Sequence, residues 1–318
     1  MEKKPLEYLQ NMNENCTISM QQHSSSPLPL VSVCCITYNH EKFIREAIEG
    51  FLMQETNFDY EIIIANDCSP DNTDAIVQEY IHHHPKGKLI KYFKHEQNLG
   101  ATPNFIFALQ QCTGKYIALC EGDDYWTDPL KLQKQVDFLE ANEEYSACFH
   151  RTDEKLNNEI RRPINTYNDD YNKTFTFEEL ARRNIINTVS VVFRNNILNF
   201  PNWFNKSYFG DYVLWMLLSQ KGPIYYFPEK MAIYRVGVGI LSKSSSLSLI
   251  IKWLETLYML KFYLNTDAFD NQIDDTYKKT SSILINESML SPIIISERVK
   301  FIVILKSIYL KVAKKIKL

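Results

Sequence analysis

Three carboxylates lie within four residues at Glu121, Gly122, Asp123 and Asp124, directly after the apolar run at 116–120. Carboxylates this close repel one another unless a positive charge lies between them. Such clusters bind hard divalent cations, and Mg²⁺ or Mn²⁺ usually keeps coordination positions open for substrate phosphates. The spacing therefore predicts a cation at Asp123 that also contacts a diphosphate. The alternative is a solvated acidic turn before a helix that starts at Asp128-Pro129.

Four apolar, strand-like segments alternate with helix-like segments in the first half of the chain. The strands are expected in LVSVCCITYN (30–39), YEIIIAN (60–66), KLIKYFKH (88–95) and KYIALC (115–120). This order is typical of a parallel α/β sheet with right-handed crossovers. In such sheets the ligand crevice lies outside the C-terminal ends of the strands.

Polar side chains follow three of these strands and should meet at that edge. They are Thr37, Tyr38 and Asn39 after the first strand, Asn66 and Asp67 after the second, and 121–124 after the fourth. Their convergence favours a cation site over a solvated turn. The sequence contains neither GxGxxG nor GxxxxGK[ST], which disfavours a dinucleotide-binding Rossmann site and a P-loop.

The composition is that of an ordinary globular protein. The chain has 318 residues, 45% hydrophobic residues and a net charge of −3, so no nucleic-acid partner is indicated. The seven cysteines form no CxxC pair and are expected to be reduced core thiols rather than disulfides or metal ligands. The first residues lack the apolar core of a signal peptide, and no run approaches the roughly 18 apolar residues that span a bilayer. A cytoplasmic location is therefore expected.

Four segments, taken together and in this order, resemble family 2 glycosyltransferases of the A-type (GT-A) fold. They are VSVCCITYNHEKFIREAIEGFLMQ, YEIIIANDCSPDNT, NLGATPNFIFALQQCTGKYIALCEGDDYWTDPLKLQKQ and GDYVLWMLLSQKGPIYYFPEKMAIYRVGVGI. The resemblance implies a single Rossmann-like α/β nucleotide-diphospho-sugar transferase domain with a mostly parallel central sheet. The expected divisions are a flexible tail at 1–29, the GT-A domain at 30–240 and a helical C-terminal extension at 241–318.

The resemblance also assigns roles to individual residues. Asp123 would bind Mn²⁺ or Mg²⁺ in a motif that corresponds to the family's DxD, with Glu121 in place of the first Asp. Asp211 stands where the family carries its general base. The expected donor-site residues are Thr37, Tyr38, Asn39, Asp67, Asn98, Gly100, Asn104, Glu121, Gly122, Asp124 and Arg235.

These roles imply an inverting transfer from a nucleotide diphosphate sugar, with a UDP-sugar as the expected donor. A cation at Asp123 would stabilise the leaving diphosphate, and Asp211 would take the proton of the acceptor hydroxyl. Two residues have structural alternatives: Asp211 could cap the helix that follows it, and Arg235 could form an ion pair instead of contacting diphosphate. One departure concerns the cation, because related sequences often carry a histidine after the Tyr-Arg pair and this chain has none after His150.

The last residues predict a basic amphipathic helix. Arg298 and six lysines follow Glu297 without an acid, and apolar residues are expected on the opposite helix face. This helix could contact anionic membrane through 298–318 at the inner face of the cytoplasmic membrane, or pack its apolar face on the domain. Membrane contact would suit an acceptor that is a glycan carried on a polyprenyl diphosphate lipid.

The sequence is compatible with two rival functions to different degrees. A nucleotidyltransferase would need a glycine- and lysine-rich triphosphate loop, which the sequence lacks. A non-catalytic sugar-nucleotide or glycan-binding scaffold would keep the fold without turnover.

His82, His83 and His84 are expected at a solvated helix end. His150, Thr188 and Ser190 could line the acceptor side or belong to the core.

Overall fold

The computed structural model describes residues 28–157, 159–163, 166–195, 197–198, 200–239 and 246–276. The predicted N-terminal tail lies almost wholly outside the described residues. The predicted basic helix at 298–318 lies entirely outside them, so its membrane contact stays a prediction. Among the described residues, no helix is both long and apolar enough to cross a bilayer.

The described fold contains ten strands, seven α-helices and a further helical stretch at 270–276. The strands are β1 (Val31–Thr37), β2 (Tyr60–Asn66), β3 (Ile90–Lys94), β4 (Tyr116–Leu119), β5 (Tyr125–Trp126), β6 (Ala147–Leu156), β7 (Glu159–Arg161), β8 (Lys173–Phe175), β9 (Val192–Arg194) and β10 (Ile224–Arg235). The helices are α1 (Ile44–Leu52), α2 (Thr73–His83), α3 (Ala101–Gln111), α4 (Lys131–Ala141), α5 (Phe177–Leu180), α6 (Gly210–Ser219) and α7 (Ser246–Leu264).

All ten strands belong to one mixed sheet in the order β3-β2-β1-β4-β9-β6-β10-β5, with β7 paired to β6 and β8 to β10. Strands β1 to β4 are parallel, as the sequence predicts. The short strand β9 is antiparallel to both β4 and β6, and β10 runs parallel to β6. The α/β class is therefore confirmed, and the sheet is mixed, with four parallel and five antiparallel pairings.

Apolar side chains cover both faces of this sheet. Along β1, Val33 and Cys34 belong to two different buried clusters because successive strand residues point to opposite faces. One cluster lies under α1, α2 and α4. The other lies under α3 and α6, and it includes Leu254, Leu257 and Leu260 of α7. The first helix of the C-terminal region thus packs on the domain.

The cysteines belong mainly to this core. All six cysteines in the described part of the chain are free thiols, and five of them are buried. Cys68 is the partly exposed one and has a positive φ of 58°. Burial raises the pKa of the Cys148 thiol to about 12. The prediction of reduced core thiols agrees with these positions.

Helix α1 packs against β5, the two-residue strand directly after the acidic motif. Gly50 allows this close contact, since a Cβ there would lie 2.9 Å from the Trp126 backbone nitrogen and 3.1 Å from its carbonyl oxygen. The Trp126 ring lies edge-on to Phe51, with 5.0 Å between the ring centroids. This contact fixes where the chain continues after 121–124.

We expect Gly50→Ala to lower the free energy of unfolding. The added methyl group must displace the β5 backbone, and overpacking of this kind costs about 1–3 kcal/mol. Gly210→Ala in α6 is the matched control, because its Cβ would lie 3.6 Å from Thr102, an ordinary contact. Denaturant unfolding measures both variants, and equal stability of the two would contradict the proposed close contact.

A buried lysine lies below Trp126. Lys131 is 0% exposed, and its Nζ donates to Gln135 Oε1 at 2.7 Å and lies 4.3 Å from the Trp126 ring centroid. Burial lowers the pKa of Lys131 to about 7. The folded protein therefore releases this proton near neutral pH, whereas the unfolded chain keeps it to about pH 10.4.

Lys131 should consequently add a positive slope to the dependence of stability on pH above 7, because its unfolded form then keeps a proton that its folded form has released. This contribution has a limiting slope of about 1.4 kcal/mol per pH unit. We expect Lys131→Met to make the slope measured between pH 7 and 9 less positive than that of wild type. The exposed-site variant Lys88→Met should keep the wild-type slope. The same slope in all three proteins would refute the shifted pKa.

Candidate active site

The ends of β1, β2 and β4 meet at one edge of the sheet. Thr37 is in register with Asn66, and the backbone N–H of Asp67 donates to the Thr37 carbonyl at 2.9 Å. On the other side of β1, the N–H of Gly122 donates to the Ile36 carbonyl at 2.9 Å. The polar residues that follow the three strands are thus brought together, as the sequence predicts.

Gly122 lets the acidic motif lie directly on the end of β1. A Cβ at this position would lie 2.7 Å from Thr37 Oγ1 and 2.9 Å from Ile44 Cδ1. Even alanine would therefore push the motif away from β1. Gly122 thus has a packing role, and its direct contact with the sugar-nucleotide donor stays a prediction.

Two of the motif's carboxylates are buried. Asp123 is 5% exposed and Asp124 is 1% exposed. Burial, reinforced by Asp123, raises the pKa of Asp124 well above its usual range. Desolvation, followed by the charges of Asp123 and Asp211, raises the pKa of the Glu121 carboxyl to about 8. Without a cation, the neutral forms of Glu121 and Asp124 are therefore favoured near pH 7.

Asp211 reaches this cluster from a distant part of the chain, since its charge acts on Glu121. Asp211 lies in the first turn of α6, and Phe209 occupies the N-cap position. Asp211 is therefore not the N-cap residue of this helix. Asp211 still accepts a hydrogen bond from the backbone N–H of Tyr212 and another from the side chain of Asn184. Burial nevertheless raises its pKa. A carboxylate with a raised pKa is a better proton acceptor.

Tyr234 faces the same carboxylates. Burial raises its pKa first, and the charges of Asp124, Glu121, Asp123 and Asp211 raise it further. The phenol group therefore stays neutral near these acids. The sequence pattern did not single out Tyr234, although its position beside Arg235 in the Tyr-Arg pair was a usable signal.

Arg235 is held firmly by the protein. Its backbone N–H donates to Asp124 Oδ1 at 2.7 Å, and its guanidinium donates to the Asp123 carbonyl and pairs with Glu46. The guanidinium carbon lies 5.0 Å from the Phe43 ring centroid and 4.6 Å from that of Tyr125. These contacts favour the structural ion pair over direct binding of diphosphate.

Asp67 holds the loop that begins α3. Its Oδ1 accepts from the Leu99 N–H at 2.6 Å and its Oδ2 from the Gly100 N–H at 2.9 Å. Asn98 donates to the Asp67 carbonyl at 3.2 Å. Gly100 has φ 92° and ψ 157°, a conformation open essentially only to glycine. Asp67 is therefore a loop anchor, and its contact with a base stays a prediction.

The remaining predicted donor-site residues differ in how far their side chains are exposed or already hydrogen-bonded. Asn104 is 1% exposed, and its amide bonds His95 at 2.9 Å and the Ala65 carbonyl at 3.0 Å. Asn39 has a φ of 60°, and its N–H donates to Ser69 Oγ at 2.9 Å. Tyr38 is partly exposed beside it. Asn104 thus positions the loop, whereas Tyr38 can face a ligand.

The other histidines have distinct environments. His40, three residues after Thr37, places its Nε2 3.8 Å from Asp123 Oδ2. The sequence pattern did not predict this proximity.

His82 and His83 bond helix carbonyls at the exposed end of α2, as predicted. His150 is 2% exposed, and burial lowers its pKa well below the usual range. Ser190 is also buried and donates to the Asn187 carbonyl, so the core alternative holds for both.

One observation at the acidic motif fits a divalent cation. Asp123 Oδ1 is buried and has no hydrogen-bond partner among the described residues. A buried carboxylate oxygen without a partner is costly, and a cation would satisfy it. No group of three or more His, Cys, Asp and Glu ligands surrounds a common point in the described part of the chain. A cation held here would therefore need ligands from a bound molecule or water.

Two curated proteins each match this chain over slightly more than 210 residues. An uncharacterized protein of Mycobacterium tuberculosis is 37% identical over 218 residues, which are 64% of this chain and 58% of that protein. The chain thus spans little more than half of this relative. TuaG of Bacillus subtilis, provisionally named a teichuronic acid biosynthesis glycosyltransferase, is 29% identical over 65% of this chain and 79% of its own length.

Solved structures share the fold. TarS of S. aureus, in a complex with UDP-GlcNAc, has a TM-score of 0.53 at 19% identity and covers 73% of this chain and 66% of its own. A mannosyltransferase of Pyrobaculum calidifontis, in complex with GDP-Man and Mn²⁺, has a TM-score of 0.57 at 12% identity, covering 94% and 87%. The glycosyl transferase family 2 model matches residues 32–202, a range that contains the acidic motif but ends before Asp211. The sheet, its polar edge and this match agree with the resemblance of the four segments, and the chain belongs to glycosyl transferase family 2.

Proposed function

We propose that the protein is an inverting, metal-dependent glycosyltransferase that uses a nucleotide diphosphate sugar, with a UDP-sugar as the expected donor. The observation that carries the proposal is that the charges of Asp123 and Asp211 both act on Glu121 at the C-terminal edge of the strands. In this proposal Asp123 binds the cation and Asp211 accepts the proton. The complexes of TarS with UDP-GlcNAc and of the mannosyltransferase with GDP-Man and Mn²⁺ support this class of donor.

Asp123 would hold the cation, because its Oδ1 is buried without a partner among the described residues. Bound there, Mn²⁺ or Mg²⁺ would supply positive charge to the diphosphate as it leaves. Tyr234 keeps a neutral hydroxyl beside the carboxylates, since burial and the surrounding acids raise its pKa. Arg235 contributes by holding the Asp123 carbonyl and the Asp124 carboxylate in place.

Asp211 would act on the acceptor. The acceptor hydroxyl oxygen attacks the anomeric carbon, its proton passes to the Asp211 carboxylate, and the bond from that carbon to the phosphate oxygen breaks. A single displacement of this kind inverts the anomeric centre, with base and leaving group on opposite faces of the sugar. Burial raises the pKa of Asp211, which favours proton uptake. Asn184 orients the base, and its own Oδ1 is buried without a partner in the described structure.

The expected acceptor is a hydroxyl of a glycan or of a glycan linked to polyprenyl diphosphate, in the synthesis of a surface polysaccharide. TuaG, provisionally named for teichuronic acid biosynthesis, supports this class. A cytoplasmic enzyme that touches the inner membrane face through 298–318 would suit a lipid-linked acceptor. The rival is a scaffold that binds sugar nucleotide or glycan without turnover, and the two experiments that follow separate it from an enzyme.

The first experiment is a calorimetric titration of UDP, and then GDP, with and without Mn²⁺. We expect UDP to bind only with the cation, and Asp123→Asn to weaken binding at least as much as the roughly 10-fold loss that follows removal of an outer-shell metal partner. Asp59→Asn, at an exposed position, is the control and should bind like wild type. Failure of wild type to bind either nucleotide would favour the scaffold.

The second experiment measures UDP release from a panel of UDP-sugars, with water or added glycans as acceptors. We expect Asp211→Asn to reduce turnover by roughly 10²- to 10⁴-fold, the range for loss of a general base, while UDP affinity stays unchanged. Undiminished turnover would remove Asp211 from the mechanism. Binding of UDP by wild type without turnover on any donor would again point to the scaffold.

A further inference from the structure

The proposed cation at Asp123 raises the question of which other side chain binds it. The chain after Arg235 continues with Val236 and Gly237 and offers no imidazole. Gly239 passes close to the motif, since a Cβ there would lie 3.7 Å from Asp123 Oδ2. Asp123 would then be the sole protein ligand from these two segments. A second ligand has to come from a different element.

His40 lies on the opposite side of the motif, in the loop after β1. Its Nε2 is 3.8 Å from Asp123 Oδ2, and its side chain is 14% exposed. Two ligands that each bind one cation at about 2.1 Å are roughly 3 Å apart when adjacent and roughly 4 Å apart when opposite. The observed separation falls within these limits, so a small movement of either side chain places both on one ion.

The His40 ring is oriented by its surroundings. Its Nδ1 lies 3.2 Å from Thr37 Oγ1, and the ring packs edge-on to Phe43 at a centroid distance of 6.4 Å. Ligating histidines usually donate their second ring N–H to a nearby oxygen, which fixes the tautomer and the ring plane. In the tautomer whose Nδ1–H donates to Thr37 Oγ1, the lone pair lies on Nε2, the nitrogen that faces Asp123.

The backbone around His40 is also fixed. Its N–H donates to Thr73 Oγ1 at 3.0 Å, which ties the loop to the start of α2. Its carbonyl accepts from the N–H groups of Phe43 and Ile44, each at 2.9 Å, at the start of α1. The loop therefore presents the imidazole at a defined position, as a metal ligand requires.

We propose that His40 Nε2 is a ligand of the divalent cation together with Asp123, with the donor's diphosphate and water filling the other positions. The inference rests on the proposed metal-dependent binding of a nucleotide diphosphate sugar. A carboxylate and an imidazole form a donor set that suits Mn²⁺ better than Mg²⁺, because Mg²⁺ prefers oxygen ligands. The cation also satisfies the buried Oδ1 of Asp123 when that carboxylate binds it through both oxygens.

The test is electron spin echo spectroscopy of Mn²⁺ bound with UDP to the full chain. We expect the nitrogen modulation of a coordinated imidazole, and we expect it to change when the histidines alone are labelled with ¹⁵N. The signal should be lost in His40→Gln and kept in His82→Gln, whose ring lies at the exposed end of α2. The dissociation constant of Mn²⁺ in the UDP complex should rise at least about 10-fold in His40→Gln only.

Each contrary result has a separate meaning. A wild-type Mn²⁺–UDP complex whose spectrum does not respond to ¹⁵N-histidine overturns the His40 assignment and leaves the proposed function intact. Absence of any Mn²⁺–UDP complex with wild type overturns the metal-dependent function and this inference with it. Circular dichroism checks that His40→Gln folds, and a labelled wild type without a ¹⁵N response overturns the assignment even if that variant does not fold.

Discussion

The crowding of acidic side chains at the C-terminal edge of the sheet is the constraint on which the rest of the site depends. The charges of Asp123 and Asp211 act on Glu121, those of Asp123 and Glu121 act on Asp124, and no cationic side chain among the described residues pairs with Asp123 Oδ1. Burial, and then these neighbouring charges, raise the pKa of Glu121 and of Asp124, which lowers the local charge. The charge that remains supports the proposed binding of a cation and its anionic partner.

Arg235 shows how the protein limits this repulsion without neutralising the site. Its guanidinium pairs with Glu46 and lies against the rings of Phe43 and Tyr125. The acidic motif accepts one hydrogen bond from the Arg235 backbone N–H, at Asp124 Oδ1, and one from the guanidinium, at the Asp123 carbonyl. The arginine thus stabilises the path of the chain through 121–124 and leaves the Asp123 carboxylate available. A guanidinium aimed at Asp123 itself would compete with a metal ion for the same oxygens.

The sequence predicts the parallel half of the fold well, because each of its strands is a continuous apolar run followed by a polar loop. It predicts the second half poorly. Strands β5 and β9 have two and three residues, too few for any periodicity, and their pairing depends on distant partners. The acidic motif could be found from spacing alone. His40 and Tyr234 were missed because their proximity to it depends on loop geometry and on the pairing of β10 with β5.

Asp67 and Asp123 carry the same side chain at the same edge, and they differ in how the fold satisfies them. Asp67 is 2% exposed and accepts two backbone N–H bonds, so its charge is used to shape the loop before α3. Asp123 is 5% exposed with one oxygen lacking a partner among the described residues. Folding tolerates such an unsatisfied group only where other contacts stabilise its position. The satisfied aspartate therefore shapes the loop, and the unsatisfied one is the residue proposed to hold the cation.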